Sequence, residues 1–441
     1  MKTRYFINME KNTLVLVLIS LSSCMNGTEN IEQGPAISML TTSEKGHTIH
    51  HNGAFSSNDE WIVFDGRNDD TKIGETSVIG VVNVKTGEER TIYQTKNQTV
   101  YGPGVGAASF SPDDDQVIFI HGLPDANEKQ PYGMSRRTGM LVDIHKGGYA
   151  FPADARDMSA PYVPGSLRGG THSHCWNPDG TMLSFTYNDE LIESDLRVVG
   201  VMLKSEDEIV VDERSGNSNG EYYSAIVSDV VANPTPGSDE INKAFDECWV
   251  DDYSIAFQGN TINAQGQPVT EIFLVEIDRE KILADKNAVG KKGERPKVPT
   301  GIKQKRLTFS ERGLSDLRHW LRSSPDGQYI YGLAKDDEGN NQIVRCQTKS
   351  GEFEYVSDFD FSIAAPINIS YKGDKMTFVA DNNVFVFEME SKELYQLTNF
   401  KENTLKVVGA PLFSRKDDKI AFNQFVEIDG HINVQIKLIE L

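Results

Sequence analysis

Apolar, strand-like runs recur along the chain, and each is preceded by the same kind of polar turn. Phe55-Ser-Ser-Asn-Asp59 leads into Trp61-Ile-Val-Phe64, and Phe110-Ser-Pro-Asp-Asp114 leads into Val117-Ile-Phe-Ile120. Asn177-Pro-Asp-Gly180, Trp249-Val-Asp-Asp252, Ser323-Ser-Pro-Asp-Gly327, Tyr371-Lys-Gly-Asp374 and Phe413-Ser-Arg-Lys-Asp417 follow the same plan. Seven copies imply seven units, each with an inner strand, the turn and three further strands. Third strands are legible at Val78–Val82, Leu196–Val201, Glu271–Val275, Gln342–Val344, Val384–Phe387 and Ile432–Ile436, and fourth strands close on Leu307-Thr308 and Leu397-Thr398. The predicted fold class is all-β, a seven-bladed β-propeller of four-stranded blades. The last copy lacks a fourth strand, and Ile37-Ser-Met-Leu-Thr41 has the fourth-strand pattern. This N-terminal strand is expected to complete the final blade and close the ring, which removes two exposed edges.

Two stretches interrupt the repeat within the propeller of residues 36–441. Across 232–249, Ser238 suits an N-cap, and Ile241, Phe245 and Trp249 are spaced i, i+4, i+8, which predicts a short inserted helix. Residues 278–303 are charged and carry Pro and Gly, which predicts a surface excursion with a helical turn at Arg279 to Ala284.

The first residues read as an address rather than as fold. Lys2, Arg4 and Lys11 form a basic region, and Leu14 to Leu21 is apolar but too short to span a bilayer. Leu21-Ser-Ser-Cys24 resembles a bacterial lipoprotein cleavage and lipidation site. The expectation is a signal peptide over 1–23, a tether lipidated at Cys24 over 24–35, and an exported monomer held in the cell envelope by its lipid alone. The net charge of -21 argues against nucleic acid. Cys175, Cys248 and Cys346 remain, an odd number that gives no disulfide framework.

Chemistry concentrates in Arg168-Gly-Gly-Thr-His172-Ser-His174, where two histidines at i, i+2 face one way in a regular strand. His50, His51 and His319 also stand where inner strands begin, so five histidines are expected around one mouth of the central funnel. His172 and His174 with His319 form an imidazole set suited to manganese, iron, nickel or zinc. Histidines that bond neighbouring blades, or that act as bases without metal, are the alternatives. Arg168, Arg318 and Arg322 suit a carboxylate, while Trp176 and Trp320 suit a sugar face; their structural alternatives are ion pairs and core packing. Glu240 and Asp246 are expected to approach the same mouth. Gly216-Asn-Ser-Asn-Gly220 lacks the strand-turn-helix setting of a nucleophile elbow, and Gly102-Pro-Gly-Val-Gly106 opens no helix.

The recurrent turns, Leu-Thr endings and split last blade resemble the TolB-type β-propellers. Ala160 to His174, Phe185 to Asp189, Pro234 to Asn242 and Arg318-His-Trp320 resemble a family of bacterial propellers labelled Tol-like. More distantly, His172-Ser-His174 before the Asn-Pro-Asp-Gly turn resembles the metal-site element of the oligogalacturonate lyases, with Gly169 departing from the glutamine of that pattern. The resemblance implies a divalent metal, manganese first, and an acidic oligosaccharide cleaved by β-elimination. His172, His174 and His319 would hold the metal. His51 or His50 would be base or fourth ligand. Arg168 and Arg322 would hold the carboxylate, with Arg318, Trp320, Trp176 and Glu240 along the substrate. A non-catalytic propeller that binds an envelope protein or a glycan stands beside this reading.

Overall fold

The structure is a computed structural model and describes residues 35–69, 71–401 and 403–441. The expected signal peptide, Cys24 and the tether up to residue 34 lie outside the described residues.

The turns are built by side chains that replace backbone partners. In blade five, Ser324 Oγ accepts from Tyr329 N at 3.0 Å and donates to Asp326, whose carboxylate accepts from Gln328 N at 3.0 Å. In blade three Asn177 takes the serine's place, with Oδ1 accepting from Met182 N at 2.8 Å. Gly327 closes its turn at φ +66°, a conformation that costs glycine little. Each turn therefore folds from its own five or six residues, which explains its recurrence in sequence.

Among the described residues, six of the propeller sheets are four-stranded and one is three-stranded. Consecutive strands pair antiparallel within each blade, and the last blade has the order of an N-terminal strand, Ile37–Met39, beside His431–Glu440, Lys419–Ile428 and Val407–Phe413. The ring is thus closed by the N-terminal strand. Blade one has three regular strands, and its inner edge is reduced to isolated bridges, Thr48 to Asp65 and Phe55 to Ile62. The break falls on His50, His51 and Asn52, ahead of Gly53 at φ +61°. Apolar faces of adjacent blades interdigitate; one such cluster holds Val63, Ile79, Phe110, Val117 and Phe119.

No helix forms over 232–249: Lys243–Asp251 is the inner strand of blade four. A spacing of four matches a helix face and is also a multiple of two, so the spacing by itself does not separate helix from strand. Pairing with Ser254–Ile262 decides for the strand. The excursion at 278–303 carries one α-helix, Arg279–Ala284, whose N-cap Asp278 accepts from Lys281 N at 3.1 Å. Cys175, Cys248 and Cys346 are free and buried.

A β-bulge recurs on the inner strands. It falls between Gly106 and Ser109, between His172 and Cys175, between Phe245 and Cys248, and between Val408 and Leu412. Ala107, Ser173 and Asp246 have φ of 55°, 56° and 52° there, and Gly409 has 71°. Such bulges re-aim the side chains on either side of them.

Candidate functional site

The bulge separates the two histidines that the spacing alone would place on one face. His174 Nε2 lies 3.1 Å from Thr171 Oγ1, and a Cβ on Gly139 of blade two would meet that nitrogen. Thr171 gives its hydroxyl proton to Asp154 at 3.2 Å, so His174 Nε2 donates and Nδ1 keeps its lone pair. His172 is 3% exposed and neither ring nitrogen has a partner. Burial, then the charges of Arg137, Arg197, His174 and Arg318, hold its pKa well below the usual histidine value. Gly169 and Gly170 lead into this strand because a Cβ at either would overlap the carbonyl oxygen of Asn188 or Met134.

His50 and His51 approach the same place from blade one. Their rings are 4.0 Å apart, and His51 stacks on Trp320 at 3.7 Å with 12° between planes. The Arg318 guanidinium covers Trp320 at 4.5 Å. Arg322 donates to the His51 carbonyl at 2.9 Å and faces its Nδ1 at 3.3 Å, so Nε2 carries the His51 proton. Burial holds both imidazoles neutral, helped by Arg67 and Arg318 at His50 and by His50 and Arg322 at His51.

Three side chains escaped the sequence reading. Arg137 is buried, with Nε and Nη2 unpartnered beyond a bond from Nη1 to Tyr132 Oη at 3.1 Å. Arg197 stands 3.6 Å from Asp246. Glu247 is 1% exposed, accepts from Thr186 Oγ1 at 2.9 Å and leaves Oε1 unpartnered. Burial raises its pKa to about 7. Alignment of the two bulged strands would have found it: Cys248-Trp249 matches Cys175-Trp176, which puts Asp246 and Glu247 level with Ser173 and His174.

Other expected residues are committed elsewhere. His319 is 0% exposed, donates from Nδ1 to the Leu317 carbonyl at 2.6 Å and accepts at Nε2 from Leu333 N at 3.0 Å. It has no lone pair left for a metal; it ties strands of its own blade together. Arg168 donates to the carbonyls of Val289, at 2.9 Å, and Glu294, and lies 3.7 Å from Asp189. It anchors the excursion of blade four rather than a substrate. Arg322 spends its donors on Leu321, His51 and Asn368, as a strut between blades five, one and six. Trp176 ends its inner strand and lines a cavity at the turn end of the channel, away from Trp320. Glu240 is exposed and closes a local turn on Thr235 N at 2.8 Å. Among the described residues no three His, Cys, Asp or Glu side chains converge as a metal site, and with His319 spent the expected metal set does not fit.

The fold and part of the chain have recognisable likenesses. Residues 104–217, which carry Arg137, His172, His174 and Arg197, match the family described as protein of unknown function DUF3748. An oligogalacturonate lyase structure in complex with manganese aligns over 93% of this chain and 94% of its own, at a TM-score of 0.56 and 14% identity. The oligogalacturonate lyase of Vibrio parahaemolyticus aligns over 94% of each chain at 0.55 and 14%. Likeness at that identity shows a shared propeller fold. The uncharacterized protein YidR of Escherichia coli (strain K12) is 33% identical over 387 residues, 84% of this chain and 91% of that protein. On that identity and coverage, this chain belongs to the family of the Escherichia coli protein YidR.

Proposed function

We propose that the histidine-bearing end of the channel binds the carboxylate of a uronate-containing saccharide and cleaves the chain by β-elimination. The observation that carries this reading is His172: a buried imidazole with both nitrogens uncommitted, set among Arg137, Arg197 and Arg318 and paired across the blade with Thr186, whose hydroxyl bonds Glu247. The arginines neutralise the substrate carboxylate and so acidify the proton α to it. Binding that carboxylate also offsets the positive charges that depress His172, which makes the imidazole a better base when substrate is present. His172 takes the α-proton, the electron pair forms the C=C bond, and the β C–O bond breaks. Glu247, protonated in part at neutral pH, gives its proton to the leaving oxygen. Trp320, clamped between His51 and Arg318, offers an aromatic edge beside the bound ring. No step is routed through a metal, because the nominated ligands do not fit one. The leader sequence would place this activity at the cell envelope.

The test is incubation with uronate oligosaccharides of several kinds while the ultraviolet absorbance of an unsaturated product is followed. The expected outcome is product formation that falls about 10²–10⁴-fold in His172→Ala and in Glu247→Gln. Product formation unchanged in both variants would overturn the residue assignment. Saccharide binding without any product would favour the second reading, a non-catalytic binding module, which the burial of His172, His174 and His319 also suits.

A further inference from the structure

The opposite end of the channel, where the inner strands run into their turns, holds a cavity of about 430 Å³ lined by all seven blades. That volume suits a small organic molecule. Its walls are aromatic and apolar, with Phe110, Trp176, Tyr371 and Phe413 among them. In a chain of net charge -21, its described lining includes Arg322 and Arg415 and no aspartate, glutamate or lysine. Chance would favour acids there, so the selection of arginine is informative. Arg322 is 8% exposed, and Arg415 is half-buried, with its guanidinium over the Tyr371 ring at 5.4 Å and only a long bond from Nη2 to the Ser111 carbonyl at 3.3 Å. The turn aspartates around this end are engaged by backbone amides. Asp59 accepts from Arg415 N at 2.7 Å and Lys416 N at 3.1 Å, and Asp417 accepts from Tyr371 N at 2.7 Å and Lys372 N at 2.9 Å.

We propose that this turn-end cavity is a second binding site, for a small organic acid with an apolar or aromatic body. The body packs on the Phe, Tyr and Trp walls, and the anionic group meets the Arg415 guanidinium. The site is separate from the histidine-bearing end and stands whether or not the chain is a lyase.

The test is a fluorescence titration of the purified full-length chain with 8-anilinonaphthalene-1-sulfonate, beside uncharged N-phenyl-1-naphthylamine, which has the same aromatic body. The expected result is saturable one-to-one binding of the sulfonate, about tenfold or more tighter than the amine, as a charge-assisted bond would give. Arg415→Gln should weaken the sulfonate about tenfold and leave the amine unchanged, and Arg415→Lys should keep part of the preference. Ile369→Trp, which fills the cavity from blade six, should abolish both, while His172→Ala should change neither. Circular dichroism of each variant reports whether it is folded. Equal affinity for the two probes, non-saturable binding, or sulfonate binding indifferent to both Arg415→Gln and Ile369→Trp would overturn the proposal.

Discussion

His172 and His319 begin as the same residue type at equivalent places, yet the structure gives them opposite work. His319 bridges the half-buried Leu317 carbonyl and the buried Leu333 amide. His319→Ala should therefore cost about 2–4 kcal/mol, since two hydrogen bonds are lost and a buried amide is left unpaired; the urea midpoint measures it. His172 has no partner to lose, so His172→Ala should leave that midpoint nearly unchanged while removing the saccharide chemistry. A large stability loss in His172→Ala with little in His319→Ala would reverse the two roles. Arg168 belongs with His319: Arg168→Ala should loosen the excursion at 278–303, seen as faster proteolysis there, because two of its carbonyls lose their donor.

The element that decides the site is the inner-strand bulge. It aims His174 at blade two while leaving His172 uncommitted, and in blade four it seats Asp246 and Glu247. Ser173 sits at φ 56°, where a β-branched side chain is strained. Ser173→Val should cost about 1–3 kcal/mol in a denaturant titration, and Ser173→Gly should be tolerated. The aligned strands also show why Glu247 was missed. Once Phe245 and Trp249 are assigned to a helix face, the Cys-Trp match to blade three is no longer compared.

For the whole molecule, closure and charge make separate predictions. The strand Ile37–Met39 pairs with the chain's last strand, so deleting it exposes an edge of blade seven. Thermal scans should show a lower, concentration-dependent transition as open edges pair between molecules. Acid should also destabilise the fold. His50, His51, His172, His174 and His319 all have pKa values lowered below the unfolded value of 6.5, to about 3 for His174 and about 4 for His319, with burial as the first cause. A lowered histidine binds fewer protons folded than unfolded, so stability is lost as pH falls below 6.5. Glu247, raised from 4.5 to about 7, works the other way, and its contribution is lost as pH rises through 7. Six lowered histidines, His121 included, against four raised acids, Glu247, Asp154, Asp246 and Asp252, predict a lower urea midpoint at pH 5 than at pH 7, with part of the difference removed in His319→Gln.

Blade number, strand order and ring closure were legible in the chain because each turn is a local device: Ser324 with Asp326, or Asn177 with Asp179, builds it from its own neighbours. The clustering of four of the five histidines was legible for the same reason, since inner-strand starts must converge in a closed ring. Which of them are uncommitted was not. Partners such as Leu333 N for His319 and Val289 O for Arg168 lie far along the chain, and the bulge changes facing in a way that spacing does not record. The sequence by itself determined the propeller, through repeated short-range hydrogen bonding. Only the tertiary structure decided which titratable groups are spent on the backbone and which are left for chemistry, because that division depends on neighbours that folding supplies.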